Sequence, residues 1–246
     1  FLHKNDLPEI NFIDSCYMGL VYLVQFAKEF GDDAIRDDVV NQLLTMAKLN
    51  QDEKTGLLVQ GYNHDRKQFW ADPVTGLSPS FWGRGLGWYS VALVETLEML
   101  PNDHPKKDDI LKVFKALMKG VVDVQDKSTG LWYQVVDKGD KEGNYLEASA
   151  SSMFTYSLAK GTRLGLLDSK YKEFANKAYQ GLENQFIKEE NNEVILTDTC
   201  KSAGLGGPPH RDGSFEYYTS EAVADNDHKG VGTFLMAGVQ HELLNK

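Results

Sequence analysis

"DEKTGLLVQ", residues 52–60, returns as "DKSTGLWYQ" at residues 126–134. The copies begin 126 − 52 = 74 positions apart. An amphipathic segment precedes each, "DDVVNQLLTMAKLNQ" from Asp37 and "DDILKVFKALMKGVVDVQ" from Asp108. Val39, Leu43, Met46 and Leu49 in the first, and Ile110, Val113, Leu117 and Val121 in the second, recur three or four apart, as on one face of a helix. Acidic residues open both segments, where they complement the positive end of the helix dipole. A third segment of the same kind, "SKYKEFANKAYQGLENQF" from Ser169, runs on into "LTDTCKSAGLGG".

Four further segments alternate with these three: "FIDSCYMGLVYLVQF", "WYSVALVETLEML", "SASSMFTYSLAKGTRLGLL" and "KGVGTFLMAGVQHELL". They are rich in small and apolar residues over most of their girth, which predicts deeply buried helices. The unit is therefore an outer helix, a long loop bearing Thr-Gly, and an inner helix. Seven helices, four inner and three outer, are expected. All long loops run from outer to inner helix, so they gather on one face and carry the unusual aromatics, among them Tyr62, Trp70, Trp82, Trp88, Trp132, Tyr217 and Tyr218. This arrangement predicts an all-α toroid with a pocket at its mouth rather than an open solenoid. No linker or low-complexity tract divides the 246 residues, which read as one domain.

The net charge of −10, with Lys and Arg scattered, leaves no basic face for nucleic acid. Two cysteines make no disulfide framework, and no zinc spacing occurs. No apolar stretch reaches membrane length. No secretory leader is read, which points to the cytoplasm, with a periplasmic address left open by whatever preceded Phe1. Near Asp225, "DNDHKG" has the look of a calcium loop, but Lys229 and Met236 occupy ligand positions. The glycines of "FWGRGLG" follow no predicted strand, so they make no dinucleotide loop.

Several residues invite a chemical reading beside a bland one. Trp82 and Trp88 offer flat apolar faces suited to a sugar ring, and Arg84 offers a planar fork for a carboxylate; alternatively, they form a tryptophan-capped core with Arg84 on an indole. Asp14 opens a nearly all-apolar helix, either as an N-cap or as an acid in apolar surroundings. His3 and Lys4 read locally as a solvated terminal pair. Glu147 and Ser149–Ser152 read as helix caps. Lys229 opens the last inner helix and could face an anion.

The segments "HK" before "FIDSCYMG", "WADPVTGLSPSFWGRGLGWYSVALVETLEMLP", "EASASSMFTYSLAKG" and "FEYYTSEAVADNDHKGVGTF" resemble the unsaturated uronyl hydrolases. The nearer likeness is to the unsaturated rhamnogalacturonyl hydrolases of glycoside hydrolase family 105, the more distant one to the unsaturated glucuronyl hydrolases of family 88. The resemblance implies an (α/α)6 barrel of twelve helices, of which this chain would be the C-terminal two-thirds. It implies Asp14 as general acid/base, and His3, Lys4, Gln60, Trp82, Arg84, Trp88 and Lys229 as substrate contacts. A second aspartate of the family would lie upstream of Phe1. The family's His-Gly-Tyr/Trp-Asp is here Gln60, Gly61, Tyr62 and Asn63. The implied substrate is an oligosaccharide ending in a Δ4,5-unsaturated uronic acid, and the chemistry requires no metal or organic cofactor. A catalytically weak sugar-binding remnant and a helical-repeat interaction protein remain as alternatives.

Overall fold

The computed structural model describes residues 9–208 and 210–246. Seven long helices stand where the periodicity placed them: α1 (Ser15–Phe30), α2 (Asp33–Asn50), α3 (Gly83–Met99), α4 (Lys107–Asp123), α5 (Ala148–Arg163), α6 (Tyr171–Phe186) and, after the six-residue α7 (Phe215–Ser220), α8 (His228–Leu244). Three two-stranded antiparallel pieces join the loops: β1 (Ile10–Phe12) with β2 (Gly61–Asn63), β3 (Ile187–Glu190) with β4 (Glu193–Leu196), and β5 (Thr199–Cys200) with β6 (Val223–Ala224). In the first, Ile10 faces Asn63 and Phe12 faces Gly61. None of the strands, nor α7, is signalled by period, because each is too short to show one.

The inner row runs α1–α3–α5–α8, and α2, α4 and α6 pack behind it. In the middle of the row, α5 is buried without interruption from Ala148 to Gly161. Its Ser and Thr hydroxyls are satisfied within that crowd: Thr155 donates to the Ser151 carbonyl at 2.7 Å, and Ser157 meets Ser90 of α3 at 2.8 Å. The end helices differ from expectation. On α1 only Ser15, Cys16, Leu20, Val24 and Ala27 are buried, and on α8 only Gly230, Thr233, Ala237 and Gln240. Their outward stripes, Met18, Tyr22, Phe26 and Phe30 on α1 and Leu235, Val239 and Leu243 on α8, are exposed at i, i+4 spacing. The row thus ends in two apolar edges instead of four equally deep helices. No described helix is long and apolar enough to cross a membrane.

The Asp-x-x-Thr-Gly segment is an Asx turn, and it occurs three times rather than twice. Asp52 Oδ1 accepts from the amides of Lys54 and Thr55 at 2.8 and 3.0 Å, Asp72 from Val74 and Thr75 at 2.9 and 2.6 Å, and Asp126 from Ser128 and Thr129 at 3.1 and 2.8 Å. Each turn closes with its glycine amide on the aspartate carbonyl at 2.8 Å. Those glycines, Gly56, Gly76 and Gly130, hold φ of 75°, 81° and 78°. The copy at Asp72 follows β2 instead of an outer helix, so no amphipathic segment flags it.

Each outer-helix turn docks on the next outer helix. A Cβ on Gly120 of α4 would overlap the Thr55 carbonyl, and one on Gly181 of α6 would overlap that of Thr129. Gly120→Ala and Gly181→Ala should each lower stability by about 1–3 kcal/mol, read as a denaturant midpoint, because neither backbone can retreat. The turns also set a pH dependence. Amides of Thr55 and Lys54 hold Asp52 below the ordinary carboxylate range, and Thr75 does the same for Asp72. At Asp126, burial pushes upward but hydrogen bonds from Ser128 and Thr129 outweigh it, so it too is lowered. A lowered folded-state pKa gives stability that is present above the unfolded value and lost as pH falls through the folded one. The denaturant midpoint should therefore drop as pH falls below the ordinary aspartate range, about pH 4, and replacing all three aspartates by Asn should flatten that slope.

Candidate active site

The loops are tied to the inner helices by one repeated backbone bond. The amide of Ile13, before α1, donates to the Gln60 carbonyl at 3.0 Å. That of Gly83, opening α3, donates to Gln134 at 2.9 Å, and that of Ala148, opening α5, donates to Asp198 at 3.0 Å. Gln60 and Gln134 are the last residues of the two quoted repeats, so equivalent residues meet successive inner helices.

Asp14 sits at the cap position of α1 with helical φ and ψ of −66° and −26°, and its side chain makes no capping hydrogen bond. The N-cap reading of this carboxylate is therefore corrected. It is half-buried, and its negative charge, after burial, helps push the Cys16 thiol up. One turn along the same face, Tyr17 stacks on Trp88 of α3 at 4.3 Å and 24°. Both rings are half-buried, so they present aromatic surface beside the acid. Deeper along the row, Lys160 of α5 pairs with Glu98 at 2.7 Å and with Glu95, which also accepts from the Tyr156 hydroxyl.

Behind Asp14 lies a closed set of neutral groups. The Trp82 indole N–H donates to Gln134 Oε1 at 3.3 Å, Gln134 Nε2 donates to the Tyr218 carbonyl at 3.1 Å, and the Tyr218 hydroxyl donates to Gln60 Oε1. The Trp82 and Tyr218 rings stack at 5.6 Å and 13°. Burial, then the charges of Tyr217 and Asp14, raise the Tyr218 phenol well above its usual range, so it stays protonated. Gly85 leaves room for Trp82, Gln60 and Ile13 to converge: a Cβ there would lie 3.1 Å from the indole.

Arg84 is turned inward. It is 3% exposed and faces the fully buried Glu147 at 3.5 Å. Its Nε donates to Ser149 Oγ at 2.9 Å and Nη2 to the Cys200 carbonyl, while its guanidinium carbon lies 5.7 Å from the Trp82 ring centroid. The open carboxylate fork expected from the sequence is thus corrected to an internal tie, close to the arginine-on-indole alternative. Glu147 caps α5 as read, accepting from the Ala150 amide at 2.7 Å. Lys229 is also engaged, by Asp227, the cap of α8, at 2.8 Å. His3 and Lys4 lie outside the described residues.

The structure therefore brings Asp14, Gln60 and Trp82 into one cluster and sets Trp88 beside Asp14 through Tyr17. Sequence reading missed Tyr17, Gln134 and Tyr218 as site residues. Gln134 carried a signal, its alignment with Gln60 in the repeat; Tyr17 and Tyr218 depend on helix register and on the unforeseen α7.

The family model of Glycosyl Hydrolase Family 88 matches residues 1–244. Protein Atu3128 of Agrobacterium fabrum is 36% identical over 234 residues, covering 92% of this chain and 99% of that protein. The unsaturated 3S-rhamnoglycuronyl hydrolase of Formosa agariphila is 26% identical over 232 residues, covering 92% of this chain and 55% of that enzyme. A solved glycoside hydrolase from family 105 of C. acetobutylicum ATCC 824 superposes with a TM-score of 0.96 at 44% identity, over 98% of this chain and 68% of that one. With its length matched by that family model and its fold by that structure, the chain belongs to glycosyl hydrolase family 88 and is a glycoside hydrolase.

Proposed function

We propose that this glycoside hydrolase removes a Δ4,5-unsaturated uronic acid from the non-reducing end of oligosaccharides left by polysaccharide lyases, with Asp14 as the acid/base. The observation that carries the reading is the half-buried Asp14 carboxylate one helical turn from the Tyr17–Trp88 stack. The name of the Formosa agariphila relative supports the substrate class.

The substrate's C4=C5 bond is an enol ether conjugated to the C6 carboxylate. Asp14, as the acid, delivers its proton to C4, and positive charge develops at C5 and the ring oxygen. Water adds at C5 and gives its proton to the Asp14 carboxylate, which restores the acid. The product is a hemiketal; its ring opens to the C5 ketone, and the hemiacetal left at C1 expels the aglycone alcohol. Hydrogen lost from water balances that given to C4, and no redox change occurs. The Tyr17–Trp88 pair supplies an apolar face for the flattened ring and keeps water from the face opposite the attack. Gln60 and Trp82 serve as the wall behind the acid. His3 and Lys4 keep the polar-contact role the family resemblance gives them.

The (α/α)6 ring is part of the same proposal: helices completing it would cover the apolar edges of α1 and α8. A second reading, a sugar-binding protein with little turnover, is favoured by one observation. Gln60 and Asn63, which replace the family's His and Asp, are both turned inward, Asn63 donating to the Glu9 carbonyl at 3.1 Å.

An unsaturated galacturonyl-rhamnose disaccharide, followed by loss of its ultraviolet absorbance, separates the readings. Turnover is expected, and Asp14→Asn should lower kcat at least about 100-fold while sugar binding persists. Binding without turnover by the unmodified chain would select the second reading; neither signal would remove both.

A further inference from the structure

We propose that Tyr218 is a positioning residue for the reaction assigned to Asp14: it locks Gln60 and Trp82 into one rigid wall behind the acid. The inference rests on the reading of function above and adds a residue to it.

Tyr218 is held on three sides. Its hydroxyl donates to Gln60 Oε1, its ring stacks on Trp82 at 5.6 Å, and its carbonyl accepts from Gln134 Nε2 at 3.1 Å. It is fully buried, so it can reach the sugar only through other groups. The groups it holds lead to the chemistry. Gln60 accepts the Ile13 amide through its own carbonyl, and Asp14 is the next residue. Trp82 is the cap position of α3, whose second turn carries Trp88. One phenol therefore couples the start of the helix bearing the acid to the start of the helix bearing the aromatic face.

The contact is also doubled by sequence symmetry. Gln60 and Gln134 end the two copies of the 74-residue repeat, and they grip the same tyrosine from opposite sides, one accepting from its hydroxyl and the other donating to its carbonyl. A tyrosine needed only to fill space would be equally well served by Phe, since ring stacking needs no hydroxyl. The hydroxyl has a different use: it fixes which end of the Gln60 amide points inward. Chemistry that depends on the placement of a single acid is sensitive to such small displacements.

Steady-state kinetics on the unsaturated disaccharide, well below each variant's melting midpoint, test this with Tyr218→Phe, Gln60→Ala and the double variant. Tyr218→Phe and Gln60→Ala should each lower kcat about tenfold with KM within about twofold of the parent, and the double variant should lose no more than Gln60→Ala alone, because both remove one bond. A tyrosine that serves stability alone would lower the melting midpoint yet leave kcat of the folded enzyme unchanged, and that result, or multiplicative losses, would overturn the proposal. Should Tyr218→Phe fail to fold, Gln60→Ala tests the same bond from its other end. Substrate-free protein gives an independent readout in the Trp82 indole N–H resonance, identified through Trp82→Phe. It should hold its place in Tyr218→Phe and move in Tyr218→Leu; a resonance unmoved in Tyr218→Leu sinks the proposal. A parent chain without turnover whose indole resonance moves as expected would instead count against the functional reading.

Discussion

The starts of α1, α3 and α5 each hang on a backbone hydrogen bond to the loop that follows the next outer helix, and the rest of the architecture depends on it. Ile13 to Gln60, Gly83 to Gln134 and Ala148 to Asp198 are the same bond made three times. A helix start has amides with no partner inside the helix, so some external acceptor is required. Here the acceptor comes from the neighbouring unit. The long loops are thereby fixed as a layer over the helix starts, although they contain little regular structure. Residues 47 to 51 positions apart meet because the bond advances one unit at each step. The Asx turns do the complementary work on the outside, where glycines of α4 and α6 receive the preceding turn.

That layer contains a buried ion pair whose value is organisational. Arg84 and Glu147 are nearly or wholly out of water, and removing two charges from water costs more than their attraction returns unless further polar partners are supplied. They are supplied. Glu147 accepts from the Ser149 hydroxyl and from the amides of Ala150 and Cys200, at 2.9 Å for the last, and Arg84 reaches the Cys200 carbonyl and Ser149. Cys200 thus donates to the acid and accepts from the base. The triangle closes α3, α5 and β5 on one another. A guanidinium held this way steadies the Trp82 ring beneath it and is no longer an open fork for a ligand.

Period in the sequence located the seven long helices because each carries several turns of apolar recurrence. It could not show how deeply α1 and α8 lie. Leu235, Val239 and Leu243 have the composition of a buried face, but composition states what a face could bury and not what covers it. Strands of two to four residues and the six-residue α7 left no period to read. Within the site, Asp14, Gln60 and Trp82 were legible through the family likeness, and the structure gathers them. The orientation of Arg84 was not, because its partner Glu147 lies 147 − 84 = 63 residues away and nothing local distinguishes a fork facing a ligand from one facing a carboxylate. Asp14 was left between cap and acid, since Ser, Thr, Asp and Asn before an apolar run serve either use; the backbone geometry speaks only against the cap.

The division between front and back gives the site its physical logic. Asp14, Tyr17 and Trp88 are half-buried and form the front, while Gln60, Trp82, Gln134 and Tyr218 are buried and form the back. The role proposed for Asp14, giving and retaking a proton, needs neighbours whose own state does not change as it does so. The back wall meets that need: two amides, an indole and a phenol raised well above its usual range remain uncharged throughout the neutral range. Arg84 is bound to Glu147 and cannot leave it without stranding a buried carboxylate unpaired. The same inward tie that removes Arg84 as an anion fork therefore helps keep the surroundings of Asp14 fixed, and in the role proposed for Asp14 such preorganisation would require no movement at the moment of proton transfer.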